Sequence, residues 1–216
     1  MKALNTSPTA KHTSWAYAEQ HLSDDPVLQA TRELAFDLGV EPVSEGTAAT
    51  LTVLAAAVQA KTLVEVGTGV GVSGISLLRG AQPEAILTSI DLDPEHLHTA
   101  RTAFRQEQLP ARRTRLITGR AEEVLPRLAT GSYDLVLLDA GAEHLPDFTA
   151  ESFRMLAPGG LLIINDALDQ DQVPRPAVRE ESTQTMRETE RVLREDGRVT
   201  TTLLGTGTGL LVAVRR

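Results

Sequence analysis

The spacing of apolar residues changes near residue 62. Before it they recur three and four apart. "SDDPVLQATRELAFDLG" places Val27, Leu28, Thr31, Leu34, Ala35 and Leu38 on one helical face, with Asp25 as cap, Pro26 in the first turn and Gly39 at the end. A second helix starts near Ser44 and aligns Ala48, Leu51, Ala55 and Val58. After residue 62 the apolar residues come in short unbroken runs. "TLVEV", "AILTSI", "TRLIT", "YDLVLLDA" and "GLLIIND" read as strands buried on both faces. Helical segments separate them: one ending near Arg79, "DPEHLHTARTAFRQ" capped by Asp93, the short "AEEVLPRLA" interrupted by Pro126, and "LPDFTAESFRML". Residues 177–196 form a polar helix with one apolar edge, and "RVTTTLL" and "GLLVAVRR" flank "GTGT" as a hairpin. The first thirteen residues carry no such pattern and are expected to be disordered.

Strands alternating with helices imply an α/β fold, doubly wound, with a mostly parallel sheet covered on both faces. Five such strands and the terminal antiparallel hairpin make seven, with extra helices at the N-terminus. There are no repeats and no interior linker, so residues 1–216 are read as one domain. Hydrophobic residues are 41% and charged residues 23%, the globular range. The absence of cysteine excludes disulfides and thiolate metal sites, and with no signal-like or membrane-length apolar run it points to the cytoplasm. A net charge of −8 argues against broad nucleic-acid or membrane affinity. Arg112, Arg113, Arg115 and Arg120 are a local exception, read either as a solvated loop and strand edge or as a phosphate or RNA contact.

"LVEVGTGVGVSG" (63–74) carries four glycines in eight residues behind a buried strand. Glycines let a backbone approach a ligand closely, and the following helix start offers free N–H groups. Gly69, Gly71 and Gly74 satisfy G-x-G-x-x-G, and Asp91 follows Gly71 by 20 residues, so a dinucleotide oxidoreductase is one reading. Glu65 pulls away from it. A carboxylate at a buried strand end costs several kcal/mol unless partnered. A cationic ligand supplies a partner, whereas a pyrophosphate would be repelled. S-adenosylmethionine, with its ammonium and sulfonium, is such a ligand.

"EVGTGVGVSG", "SIDLDPEHLHTAR", "GRAEEVLPRL", "YDLVLLDA" and "LAPGGLLIIND" occur in this order. Together they resemble the class I S-adenosylmethionine-dependent O-methyltransferases of the catechol and caffeoyl-CoA type, whose fold is Rossmann-like, and an O-methyltransferase group of actinobacteria. The likeness runs from about residue 25 to the end. It implies a cofactor site residue by residue. Val43 would touch the methionine part through its backbone. Glu65, Gly67, Thr68 and Gly69 match the first motif, and Ser73 would help hold the methionine carboxylate. Asp91 would pair with the ribose hydroxyls, Leu92 would lie beside the adenine, and the Ala121 backbone would meet the adenine edge. Asp139 is expected in both the cofactor and the catalytic set. The resemblance also implies a homodimer.

Asp139 and Asp166 end consecutive strands, where ligands of open α/β sheets bind, and two carboxylates there can share a hard divalent cation such as Mg²⁺. The family uses that metal to hold vicinal oxygens of an acceptor and acidify one of them. Three positions depart from the family. Ala167 stands where an Asn ligand is expected after Asp166, Gly141 replaces an acid, and Ala142 replaces the usual basic Lys. Asn165 is expected to point to the opposite side of its strand. His144 is a candidate base, or else an exposed histidine at a helix start. The expected activity is methyl transfer to a hydroxyl of a small, catechol-like acceptor. The alternatives are a tRNA hydroxyuridine methyltransferase, opposed by an aromatic content of 3%, and a cofactor-binding protein with altered catalysis.

Overall fold

The apolar runs after residue 62 all become strands of one sheet in the computed structural model, which describes residues 8–216. The parallel strands are β1 (Thr62–Val66), β2 (Ile86–Asp91), β3 (Thr114–Thr118), β4 (Tyr133–Leu138) and β5 (Leu156–Ile164). Antiparallel β6 (Val199–Leu204) and β7 (Leu210–Arg215) complete the order β3-β2-β1-β4-β5-β7-β6. The direction of winding reverses between β1 and β4, and there the strand ends part to leave a crevice.

Before the sheet come α1 (Pro8–Glu19), α2 (Pro26–Asp37) and α3 (Glu45–Ala57). Within it lie α4 (Val72–Gly80), α5 (Pro94–Gln106), α6 (Ala121–Val124), α7 (Leu145–Met155) and α8 (Glu181–Glu195). The caps form as the sequence suggests. Asp25 Oδ1 accepts from the N–H groups of Val27 and Leu28 at 3.0 and 3.1 Å, and Asp93 Oδ1 from that of Glu95 at 2.8 Å. Pro126 ends α6, and residues 125–127 continue as a single 3₁₀ turn.

Alternate strand residues feed two cores. Leu63, Leu135 and Ile163 pack with Leu51 and Ile75 on one face; Val64, Val136 and Leu162 pack with Leu145, Phe148 and Met186 on the other. The N-terminal expectation needs correction. Residues 8–13, expected to be disordered, form the start of α1, while residues 1–7 lie outside the described part.

Candidate active site

The glycine stretch leaves β1 along a path that only glycine permits. Gly67 has φ +93°, and a Cβ there would lie 2.0 Å from the Asp139 carbonyl oxygen. The loops after β1 and β4 therefore touch backbone to backbone. Gly71, at φ +99°, starts α4, whose first turn holds Ser73.

These loops frame a cavity of about 530 Å³ at the strand ends. Val43, Gly67, Thr68, Gly69, Ser73, Asp91, Leu92, Ala121, Asp139 and His144 all line it. Asp91 is fixed before any ligand arrives: its Oδ2 accepts from Gly69 N at 2.9 Å and its Oδ1 from Asp93 N at 2.9 Å. His96 adds its Nδ1 at 3.3 Å from the same Oδ1. It lines the cavity, and the sequence reading gave it no role. Its position one turn into α5, facing back to Asp91, was the available signal. Leu92 is exposed at the cavity mouth, and Ala121 is buried.

Glu65 lies below the cavity rather than on its wall. It is fully buried. Its Oε2 accepts from Ser89 Oγ at 2.5 Å, Ser89 Oγ is 2.6 Å from Thr68 Oγ1, and Oε1 makes no hydrogen bond among the described residues. Burial pushes its carboxyl up to about 7; the nearby Ser73 hydroxyl and the Ser89 hydrogen bond work against that rise, and the charges of Asp139 and Asp91 add to it.

Asp139 stands where two spaces meet. A second cavity of about 390 Å³ opens beside the first and shares Glu41, Pro42, Val43 and Asp139 with it. Asn165 and Asp166 line it from the end of β5. The register places Leu138 opposite Ile164, so Asp139 and Asn165 fall on the same face of the sheet. Asn165 Nδ2 donates to Asp139 Oδ1 at 2.8 Å. The expectation that Asn165 points away is thus overturned. Asp166 follows at φ +53°, with its Oδ1 accepting from Gln170 N at 3.0 Å. Burial raises Asp139 to about 6 against the Asn165 hydrogen bond, with Asp166 adding to the rise; Asp166 is raised too, again chiefly by burial. Ala167 is buried in the core beneath. Among the described residues no group of three or more His, Cys, Asp or Glu side chains is arranged to hold a metal.

His144 does not join this group. It lines the cofactor-sized cavity beside Phe148, at a ring distance of 5.7 Å, with Nε2 3.9 Å from Glu122 Oε1. It is not among the residues lining the second cavity, because the 3₁₀ turn at 142–144 carries it toward Ala121. The arginine group also disperses. Arg113 is buried and donates to the carbonyls of Ala85, Leu78 and Gln82; Arg112 pairs with Glu84 and Arg120 with Glu122.

A doubly wound sheet with a glycine turn and an aspartate at its switch point defines a nucleotide- or nucleoside-cofactor fold. The chain belongs to the O-methyltransferase family, whose model matches residues 18–216. A Mycobacterium tuberculosis protein named probable O-methyltransferase is 43% identical over 209 residues, 97% of this chain and 93% of that one. A solved Corynebacterium glutamicum protein superposes with a TM-score of 0.87 at 27% identity, covering 95% of this chain and 97% of the other. An O-methyltransferase of tomaymycin synthesis from Streptomyces achromogenes, solved in complex with SAM, shares the fold with a TM-score of 0.84 at 23% identity, covering 97% and 99%.

Proposed function

We propose that the protein moves the methyl group of S-adenosylmethionine to a hydroxyl of a small acceptor. The observation that carries this reading is the pair of adjoining cavities that meet at Asp139, one framed by the glycine loop and Asp91, the other polar and open to an acceptor. In it, Asp91 takes the ribose hydroxyls, Leu92 and the Ala121 backbone flank the adenine, and Ser73 with the Thr68–Gly69 turn holds the methionine carboxylate. Glu65, below, balances the cofactor's positive charge. Val43 closes the methionine end from the N-terminal side.

The acceptor oxygen attacks the methyl carbon as the carbon–sulfur bond breaks, so the thioether leaves neutral and a proton must leave the hydroxyl. Asp139 takes that proton: its raised pKa makes it a better acceptor than an ordinary aspartate while it stays ionised at neutral pH. Asn165 orients it. Positioning supplies much of the remaining acceleration. Asp139, Asn165 and Asp166 offer oxygen donors only, which fits a hard cation such as Mg²⁺. With such an ion bound, Asp139 would be a ligand rather than the proton acceptor, and the ion would supply the positive charge that acidifies the acceptor hydroxyl.

The acceptor is small and hydroxylated; vicinal diols are the first to test. Of the arginines that suggested a tRNA substrate, Arg113 is engaged within the fold while Arg112 and Arg120 lie exposed in pairs with Glu84 and Glu122, and no observation favours that alternative over a small acceptor. Two further readings belong with this one. The whole chain acts as one cytoplasmic catalytic domain; among the described residues no helix is long and apolar enough to cross a membrane. It pairs as a homodimer through the N-terminal helices, where Tyr17, Phe36 and Val53 are exposed. Sedimentation would test the pairing.

The test of function is calorimetric titration of S-adenosylhomocysteine, with EDTA and with Mg²⁺, followed by a diol panel assayed for methyl transfer. Binding together with turnover supports the proposal. Binding without turnover on any acceptor favours a cofactor-binding protein with altered catalysis. Preference for NADH would return the oxidoreductase.

A further inference from the structure

The second cavity has a wall that the parallel strands do not supply. Ser44 and Thr47 reach it from the start of α3, and Gly207 and Thr208 from the β6–β7 turn. Between these two segments sits the carboxylate of Glu19, the last residue of α1. Its Oε2 accepts from Ser44 Oγ at 2.6 Å, and its Oε1 accepts from Thr206 Oγ1 at 2.7 Å and from Gly207 N at 2.9 Å. Two glycines make room for this closure. A Cβ on Gly46 would lie 2.7 Å from the Glu19 carboxylate, and one on Gly207, at φ +53°, would lie 2.6 Å from Thr47 Oγ1. One turn earlier in α1, Trp15 Nε1 donates to the Gly205 carbonyl at 2.7 Å.

We propose that Glu19 is a positioning residue for the acceptor. It ties the start of α3 to the β6–β7 turn and so sets the width of the cavity that receives the acceptor. The proposal rests on the methyl-transfer reading for what that cavity holds. A carboxylate suits this place because three donors from two segments converge on it, and both its oxygens are acceptors only. Glutamine would turn an N–H₂ group toward one set of those donors. Ser44 Oγ also accepts from Thr47 N at 3.1 Å as the α3 cap, so releasing Glu19 loosens the first turn of α3. The glycine loop and Asp91 are held by bonds of their own, at Gly67–Ile90 and Gly69–Asp91, and do not depend on Glu19.

The chain has a single tryptophan, and it reports on this contact. Glu19→Gln and Glu19→Ala would be compared with wild type, each as the full chain. Three readouts are independent of turnover: Trp15 emission, amide hydrogen exchange over 44–48 and 205–208, and the S-adenosylhomocysteine Kd. A fourth uses catechol as probe acceptor. The expected result is a red-shifted Trp15 emission, faster exchange in both segments and a Kd within about threefold of wild type. The catechol KM should rise about tenfold with kcat little changed, because the wall that receives the acceptor shifts while the groups at Asp139 do not. Glu19→Gln keeps the side-chain volume and serves if Glu19→Ala fails to fold.

Unchanged exchange and KM would overturn the proposal. So would a Kd that rises as much as the KM, because the effect would then be general loosening. If wild type binds no S-adenosylhomocysteine or leaves catechol unmethylated, the methyl-transfer reading or the choice of a diol acceptor fails instead. Emission and exchange would still decide whether Glu19 holds the wall.

Discussion

Glu65 gives the most demanding test of the cofactor assignment. Its carboxyl is fully buried, has one unpartnered oxygen and is pushed up to about 7, so the empty protein holds it largely protonated below neutral pH. A cofactor that brings an ammonium and a sulfonium favours the ionised form. If binding returns the group to the ordinary glutamate range, about 4.5, affinity for S-adenosylmethionine falls about tenfold between pH 8 and pH 6. Asp139, raised to about 6, adds at most about a factor of two at the lower end. Calorimetry at pH 6, 7 and 8 in two buffers of different ionisation enthalpy reads both the affinity and the proton released on binding. Glu65→Gln keeps the shape and removes the titration, so its affinity should be weaker and nearly flat with pH.

The same shift acts on folding. The group's folded value is raised, so its contribution to stability is complete below about pH 4.5 and is lost as pH rises through 7, amounting to at most about 3 kcal/mol. The empty protein should therefore be less stable at pH 8 than at pH 5.5 by about 2 kcal/mol of this contribution and melt lower, and the cofactor should stabilise it more at pH 8. A wild-type affinity independent of pH, or a slope that persists in Glu65→Gln, would refute the reasoning.

Other expectations follow from single contacts. Gly67→Ala puts a methyl group 2.0 Å from the Asp139 carbonyl oxygen at a positive φ, so it should abolish cofactor binding and lower the melting temperature, read by thermal denaturation with and without ligand. Asp91→Ala removes an acceptor already fixed by the Gly69 and Asp93 amides, and should weaken S-adenosylhomocysteine about ten- to a hundredfold in titration. Asn165→Asp places a third carboxylate beside Asp139 and Asp166 and should tighten Mn²⁺ binding measured by electron paramagnetic resonance; unchanged binding would remove Asn165 from the donor set. Among the described residues the second cavity is lined by Glu41, Asp139 and Asp166 and by no basic side chain, so a dihydroxybenzoate should be methylated less efficiently than neutral catechol in EDTA.

Much of this architecture could be read from local pattern. Buried strands such as "YDLVLL" are apolar throughout because both faces are covered, and Asp25 and Asp93 announce their helices through caps that depend on neighbouring residues alone. What failed to show depends on distant partners. Helix α1 has no apolar stripe, and Trp15 and Glu19 hold it to a turn some 190 residues away. Asn165 is expected to face away because side chains alternate along a strand from Asp166, whereas the chain turns at Asp166 and the β4–β5 register sets Asn165 beside Asp139. The arginines look like one patch in sequence, but the 3₁₀ turn at 111–113 buries Arg113 and leaves Arg112 outside.

The contact between Gly67 and the Asp139 carbonyl also bears on how ligands come and go. With no side chain between them, the loop after β1 and the loop carrying Asp139 are held together as one unit by the β1–β4 pairing. On the methyl-transfer reading, the wall left free to move for release of the thioether product and methylated acceptor is the opposite one. That wall is the 40–44 segment, which borders both cavities and is tied down by Arg32 through the Val43 carbonyl rather than by strand pairing. On that reading release falls to the N-terminal helices, with the sheet as a fixed anvil, and loosening the Arg32–Val43 contact is expected to speed it.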